Sequence, residues 1–382
     1  MISTKTLLQI GLAASVLRLL AVDLRADDWV PPKSLDELPV RLELPDLFKF
    51  PEDHRKITAE NWEQRRAQLA AIVQHYQYGQ MPPRPDSITV ERLKKRQLEQ
   101  VEASEELMTV VIGSKHQLRM RIAVYVPQRS GRLPVLIREE AALGHLEEVP
   151  RLMRHGCLYV EYARDDLDPD QPDVVGAAQQ AYPKYDWATI AVWAWAGMRV
   201  VDYLESRDDV DERRIGIVGH SRGGKAALLA GALDPRFTLV AANGSGAGGA
   251  GSFWVQGKGC ETLEQITDPN RFAYWFHPRL RWFVGKENRL PFDQHFLKAL
   301  VAPRALICTE ARNDYWANPR GTRMTSRAAA EAFRLLGAEA KNGLHFRDGD
   351  HDLLAADWNA ILAFADWHWW GKEPDDPSCF QP

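Results

Sequence analysis

Apolar residues fall at helical spacing between residues 59 and 78, where Trp62, Leu69, Ile72 and Tyr76 share one face, and the spacing predicts a helix. Residues 27–60 before it are rich in proline and charge and read as an extended lead-in. Alternating stretches at 87–92, 106–113 and 117–126 predict antiparallel strands at one edge of a sheet. From residue 133 the pattern changes. Short apolar runs at 133–138, 157–162, 214–218, 238–242, 305–309 and 341–346 predict buried strands. Helical patterns at 149–155, 187–206, 326–336 and 353–370 alternate with them, the first carrying Pro150 in its opening turn, where proline is tolerated. Such alternation predicts a mostly parallel sheet covered by helices on both faces, a three-layer α/β sandwich.

One turn in this pattern carries chemistry. The strand at 214–218 runs into Gly219-His220-Ser221-Arg222-Gly223, and a small-residue helical run, 224–231, follows. Strand, G-x-S-x-G and helix in that order form the nucleophile elbow of an α/β-hydrolase. The glycines let strand and helix approach closely, and the serine hydroxyl stands at a helix N-terminus whose N–H groups can receive an oxyanion. Ser221 is therefore the expected nucleophile.

Composition narrows the partners. With 48 Lys+Arg against 52 Asp+Glu there is no electrostatic case for nucleic acid. Lys5 followed by an apolar run from Leu7 to Val22, ending Leu24-Arg25-Ala26-Asp27, reads as an export leader over residues 1–26, although Arg18 interrupts it. That charge argues against a stable membrane span, and the expected location is secreted or periplasmic. The remaining organisation is an N-terminal extension with edge strands over 27–132 and a hydrolase core over 133–382, together one domain. Cys157, Cys260, Cys308 and Cys379 form no CxxC pair, so no metal site is expected, and export would allow one disulfide.

A serine needs a base oriented by an acid, and in this fold both follow the nucleophile. Of the later histidines, His351 sits in the turn-forming loop Arg347-Asp348-Gly349-Asp350-His351-Asp352, before the last helix, whereas His345 falls within an apolar strand. His351 is the expected base. In Glu310-Ala311-Arg312-Asn313-Asp314, beyond the strand at 305–309, Asp314 is the expected acid and Glu310 the fallback. Arg222, beside the serine, can hold the oxyanion or form an ion pair that braces the elbow.

Several segments together resemble the glucuronoyl esterases, carbohydrate esterase family 15, in their bacterial branch. They are Asp165-Asp166-Leu167-Asp168-Pro169-Asp170, the run Asp186 to Trp195, the extended elbow His220-Ser221-Arg222-Gly223-Gly224-Lys225, and Asn243-Gly244-Ser245-Gly246-Ala247-Gly248-Gly249. Leu290-Pro291-Phe292-Asp293-Gln294-His295 and Trp316-Ala317-Asn318-Pro319-Arg320-Gly321 also fit. The resemblance implies cleavage of the ester between 4-O-methyl-glucuronic acid on glucuronoxylan and an alcohol, without metal or organic cofactor. It implies that Arg222 supports the oxyanion, Lys225 hydrogen-bonds sugar hydroxyls and Trp316 flanks the sugar. Glu261 and Glu264 are further candidates for sugar contacts. Two departures stand out: Gly244 occupies a position where many members carry an acidic glutamate, which moves the acid to the later loop, and Arg138 to His145 lacks the expected asparagine- and glycine-rich loop. An acetyl xylan esterase, or another carboxylic-ester hydrolase of this fold, is the competing reading. A silent carbohydrate-binding relative is disfavoured by the ordered serine, aspartate and histidine.

Overall fold

The computed structural model describes residues 29–50 and 56–382; the leader expected over 1–26 lies outside them. Among the described residues, nine strands form one sheet in the order β1-β2-β3-β5-β4-β6-β7-β8-β9. The first three, β1 (Ile88–Leu98), β2 (Ala103–Ile112) and β3 (Leu118–Pro127), pair antiparallel, and β3 joins β5 (Leu158–Ala163) antiparallel. Beyond them β4 (Leu133–Glu140), β6 (Val210–His220), β7 (Leu239–Asn243), β8 (Ala305–Ala311) and β9 (Asn342–Arg347) run parallel to β5 and to one another. This is the α/β-hydrolase fold.

Burial explains the division. Strands β5, β7 and β8 are buried at every residue, as central parallel strands covered on both faces must be. Strand β1 is exposed along nearly its whole length and carries Arg92, Lys94, Lys95 and Arg96, charges that blunt a free sheet edge against pairing with another chain.

Helices α1 (Trp62–Val73), α2 (Val149–His155), α3 (Ala177–Ala181), α4 (Thr189–Leu204), α5 (Arg222–Leu233), α6 (Leu263–Ile266), α7 (Gln294–Ala299), α8 (Pro319–Leu335) and α9 (Ala355–Trp370) surround the sheet. All sixteen residues of α4 are buried, including Trp193 and Trp195, so this helix is core rather than surface. Each fully buried Val, Ile or Leu there contributes about 1.5–3 kcal/mol of apolar transfer. The main core lies on the α4 and α5 face, and a second cluster fills the opposite face beneath α2 and α9.

The helix expected over 59–78 is α1 continued by one wider turn, Gln74–Tyr78, which Gly79 ends at φ +78°. The helix expected from 326 begins earlier, at Pro319. Asn318 caps it by accepting from the Gly321 N–H at 3.1 Å, and proline takes a first-turn position that needs no donor.

Candidate active site

Between β6 and α5, Ser221 has φ +56° and ψ −122°, a backbone conformation that side-chain-bearing residues seldom adopt. The strain is held by close packing: a Cβ on Gly219 would lie 2.0 Å from the Gly223 carbonyl oxygen. The Ser221 N–H donates to Asn243 O at 2.9 Å, tying the elbow to the end of β7. Its side chain therefore sits above the first turn of α5.

His351 lies in the loop after β9, partly exposed, and Asp314 in the loop after β8, 4 % exposed. The imidazole Nδ1–H donates to Asp314 Oδ2 at 2.6 Å, while Asp314 Oδ1 accepts the Ala317 N–H at 3.1 Å. Holding the proton on Nδ1 leaves Nε2 as the basic nitrogen. The ring packs 4.6 Å from His220, whose Nδ1 shares a hydrogen bond with Asn243 Oδ1 at 2.5 Å.

Glu310 is part of β8 itself and fully buried, while Asp314 has taken the imidazole. Burial pushes its pKa up to about 8; the Asp314 charge adds to this, against the Thr322 hydroxyl and Lys298. Gly244, at φ +49°, points at the same place: a Cβ there would lie 3.2 Å from Asp314 Oδ2 and 3.4 Å from His351 Nδ1. A side chain at 244 and the Asp314 carboxylate thus converge on one imidazole edge from two loops.

Lys225, one turn into α5, is buried rather than solvated. Its ammonium donates to Ser245 O at 2.8 Å, to Ala247 O at 2.5 Å and to Glu261 Oε2 at 2.7 Å, which uses all three protons. Burial lowers its pKa, against the attraction of Glu261. Glu261 is tied to the loop after β8 through its N–H, which donates to Trp316 O at 2.9 Å. Trp316 is half-buried with the Arg271 guanidinium 5.6 Å from its ring, and Glu264 is exposed in the first turn of α6. The fold thus joins Lys225, Glu261 and Trp316 but leaves Glu264 on the surface.

Arg222 forms an ion pair. Its Nη1 donates to Asp170 Oδ2 at 2.6 Å and its guanidinium lies 5.0 Å from the Trp275 ring, while the side chain stays 40 % exposed. Asp170 and the aromatic wall Phe272, Tyr274 and Trp275 were given no role by sequence reasoning. The run Phe272-Ala273-Tyr274-Trp275-Phe276 was the available signal. At the end of β4, Arg138 pairs with Glu140 at 2.8 Å, and Glu139 takes Arg164 as its partner. A cavity of about 610 Å³ runs along α1 and α4, lined by Trp29, Met81, Trp195 and Arg199; it includes none of the residues above and is not the reaction pocket. Among the described residues, no group of three or more His, Cys, Asp or Glu is placed to hold a metal ion.

Against known proteins, a family model described as glucuronyl esterase, fungi, matches residues 109–337. A carbohydrate esterase, MZ0003, from an unknown prokaryotic organism is 37 % identical over 54 % of this chain and 52 % of its own length. The 4-O-methyl-glucuronoyl methylesterase of Podospora anserina is 29 % identical over 78 % of this chain and 62 % of its own. The chain thus spans less than two thirds of the length of these two curated relatives. A carbohydrate esterase family 15 glucuronoyl esterase from Caldicellulosiruptor kristjansonii superposes with a TM-score of 0.76 at 29 % identity, covering 90 % of this chain and 95 % of that one.

Proposed function

The chain belongs to the glucuronoyl esterase family, and from that premise we propose that it is a serine esterase cleaving esters of (4-O-methyl-)glucuronic acid on xylan. The observation that carries this is the Asp314–His351 pair at 2.6 Å, set at the same end of the sheet as the strained Ser221 elbow. Ser221 Oγ attacks the uronate carbonyl as His351 Nε2 takes its proton, and Asp314 holds the imidazolium that forms. The N–H groups opening α5 and the Arg222 guanidinium receive the oxyanion. The protonated His351 then gives its proton to the departing alcohol, leaving an acyl-enzyme that water hydrolyses by the same steps in reverse.

The sugar side is assigned to Glu261, Trp316 and Trp275. Lys225 spends its protons on protein acceptors, so its part is to fix Glu261 through Oε2 and leave Oε1 to accept from a sugar hydroxyl. Trp316 offers a ring face to the pyranose. No metal or organic cofactor enters this chemistry. A glucuronoxylan substrate places the enzyme outside the cytoplasm, and among the described residues no helix is long and apolar enough to cross a membrane.

The test is hydrolysis of benzyl glucuronate beside acetylated xylan, with Ser221→Ala as control. Preference for the uronate ester, abolished in the variant, is the expected result. Preference for the acetyl ester keeps the serine chemistry and overturns the substrate.

A further inference from the structure

Asp170 closes the segment Asp165-Asp166-Leu167-Asp168-Pro169-Asp170, to which the reaction above gives no part. Its side chain is 11 % exposed, yet both oxygens are fully engaged. Oδ2 accepts from Arg222 Nη1 at 2.6 Å and from Arg164 Nη2 at 3.4 Å. Oδ1 accepts from Tyr274 Oη at 2.8 Å and from Trp275 Nε1 at 2.8 Å. One oxygen thus holds the cation beside the nucleophile, and the other holds the aromatic wall facing it.

We propose that Asp170 is a positioning residue, acting through Arg222 and the Tyr274–Trp275 wall to hold the oxyanion guanidinium and the sugar-facing surface in one geometry. The inference rests on the ester hydrolysis proposed above.

The physical reason lies in the arginine. Arg222 is partly exposed and carries about 2 kcal/mol of rotamer entropy, so without an anchor it would sweep through solvent. A donor stabilises a developing oxyanion best when already in place, because nothing must reorganise as the charge forms. Asp170 takes only Nη1. Among the described residues no other acceptor takes a hydrogen bond from Arg222, which leaves the rest of the guanidinium for the substrate. A carboxylate this close would ordinarily dull the field that the arginine exerts. Arg164 offsets this: it pairs with Asp170 as well as with Glu139 and Asp165 and lies 4.3 Å from the Trp193 ring, so a second cation faces the Asp170 carboxylate. Burial opposes ionisation of Asp170, but the hydrogen bonds from Arg222, Trp275 and Tyr274 outweigh it and hold its pKa below the ordinary aspartate value.

A double-mutant cycle on benzyl glucuronate tests this. Asp170→Asn keeps an acceptor for the wall and removes the charge facing Arg222. Acting through Arg222, it should lower kcat about tenfold or more with KM changed less than about threefold, at an unchanged thermal midpoint. In an Arg222→Met background the same change should cost less than about threefold, because the group it positions is gone. Equal losses in both backgrounds, or an unchanged kcat in the first, would overturn the proposal. Where Asp170→Asn does not accumulate as folded protein, the cycle is run with Asp170→Glu, which displaces the charge by one methylene and should show the same non-additivity. If the parent enzyme cleaves an acetyl ester and not the glucuronate, the substrate reading fails by itself. The cycle is then read on the acetyl ester, where non-additivity still supports the positioning role and additivity ends it.

Discussion

In the proposed reaction the backbone strain at Ser221 and the helix N-terminus below it serve one purpose, presenting an oxygen where donors already point. Ser221→Ala removes only that oxygen and should abolish ester hydrolysis at an unchanged thermal midpoint. Asp314→Asn keeps the shape but presents an uncharged amide whose N–H can donate to Nδ1 instead of accepting from it, which selects the wrong imidazole tautomer, so kcat should fall about 10⁴-fold, as in other serine triads. Glu310 gives a separate signal. Its folded-state pKa of about 8 lies above the ordinary glutamate value, so the folded protein keeps a proton that the unfolded chain releases near 4.5. Stability therefore falls as pH rises through that window, and the loss is complete above about 8. Glu310→Gln removes that slope, so in thermal unfolding between pH 5 and 9 the variant should gain on wild type as pH rises. At this scale the sequence pointed to Ser221, His351 and Asp314 as the proposed triad, through the order that the fold prescribes, and the structure sets Asp314 against His351. Asp170 was not, since its meaning comes from Arg222 and Trp275, which lie 52 and 105 residues away.

Helix α5 shows what a whole element needs in order to place the nucleophile. It packs so closely on β7 that a Cβ at Gly231 would lie 2.1 Å from Val240 Cγ2. Gly231→Ala overfills that contact and should cost about 1–3 kcal/mol, read as a lower midpoint in urea unfolding, although alanine is the better helix former. The small residues of 224–231 announced a close-packed helix in the sequence. What they could not announce is the burial of Lys225, because a lysine on a helix is ordinarily solvated. The carbonyls of Ser245 and Ala247 and the Glu261 carboxylate come from a loop that only the fold brings over α5. The start of α8 was missed for a similar reason: Pro319 reads as a break until Asn318 is seen to cap it.

Across the whole molecule, Cys157, Cys260 and Cys308 are buried free thiols and Cys379 is an exposed one, so the disulfide that export would allow is not formed. A thiol reagent should label one cysteine per chain under native conditions, and a reductant should leave the thermal midpoint unchanged. The amino-acid sequence alone determined the α/β-hydrolase architecture, the antiparallel edge followed by the parallel core, and the order along the chain of the proposed nucleophile, acid and base. Those features are written in local periodicity and in turn chemistry, which act between near neighbours. The tertiary structure decided the rest. It chose Asp314 over Glu310 by turning one carboxylate toward His351 and burying the other in β8. It also tied Arg222 to Arg164 through their shared Asp170 and closed the Lys225–Glu261 pair. Each of these depends on distances between segments far apart in the chain, and a polar side chain acquires its role from the partners that desolvation forces on it.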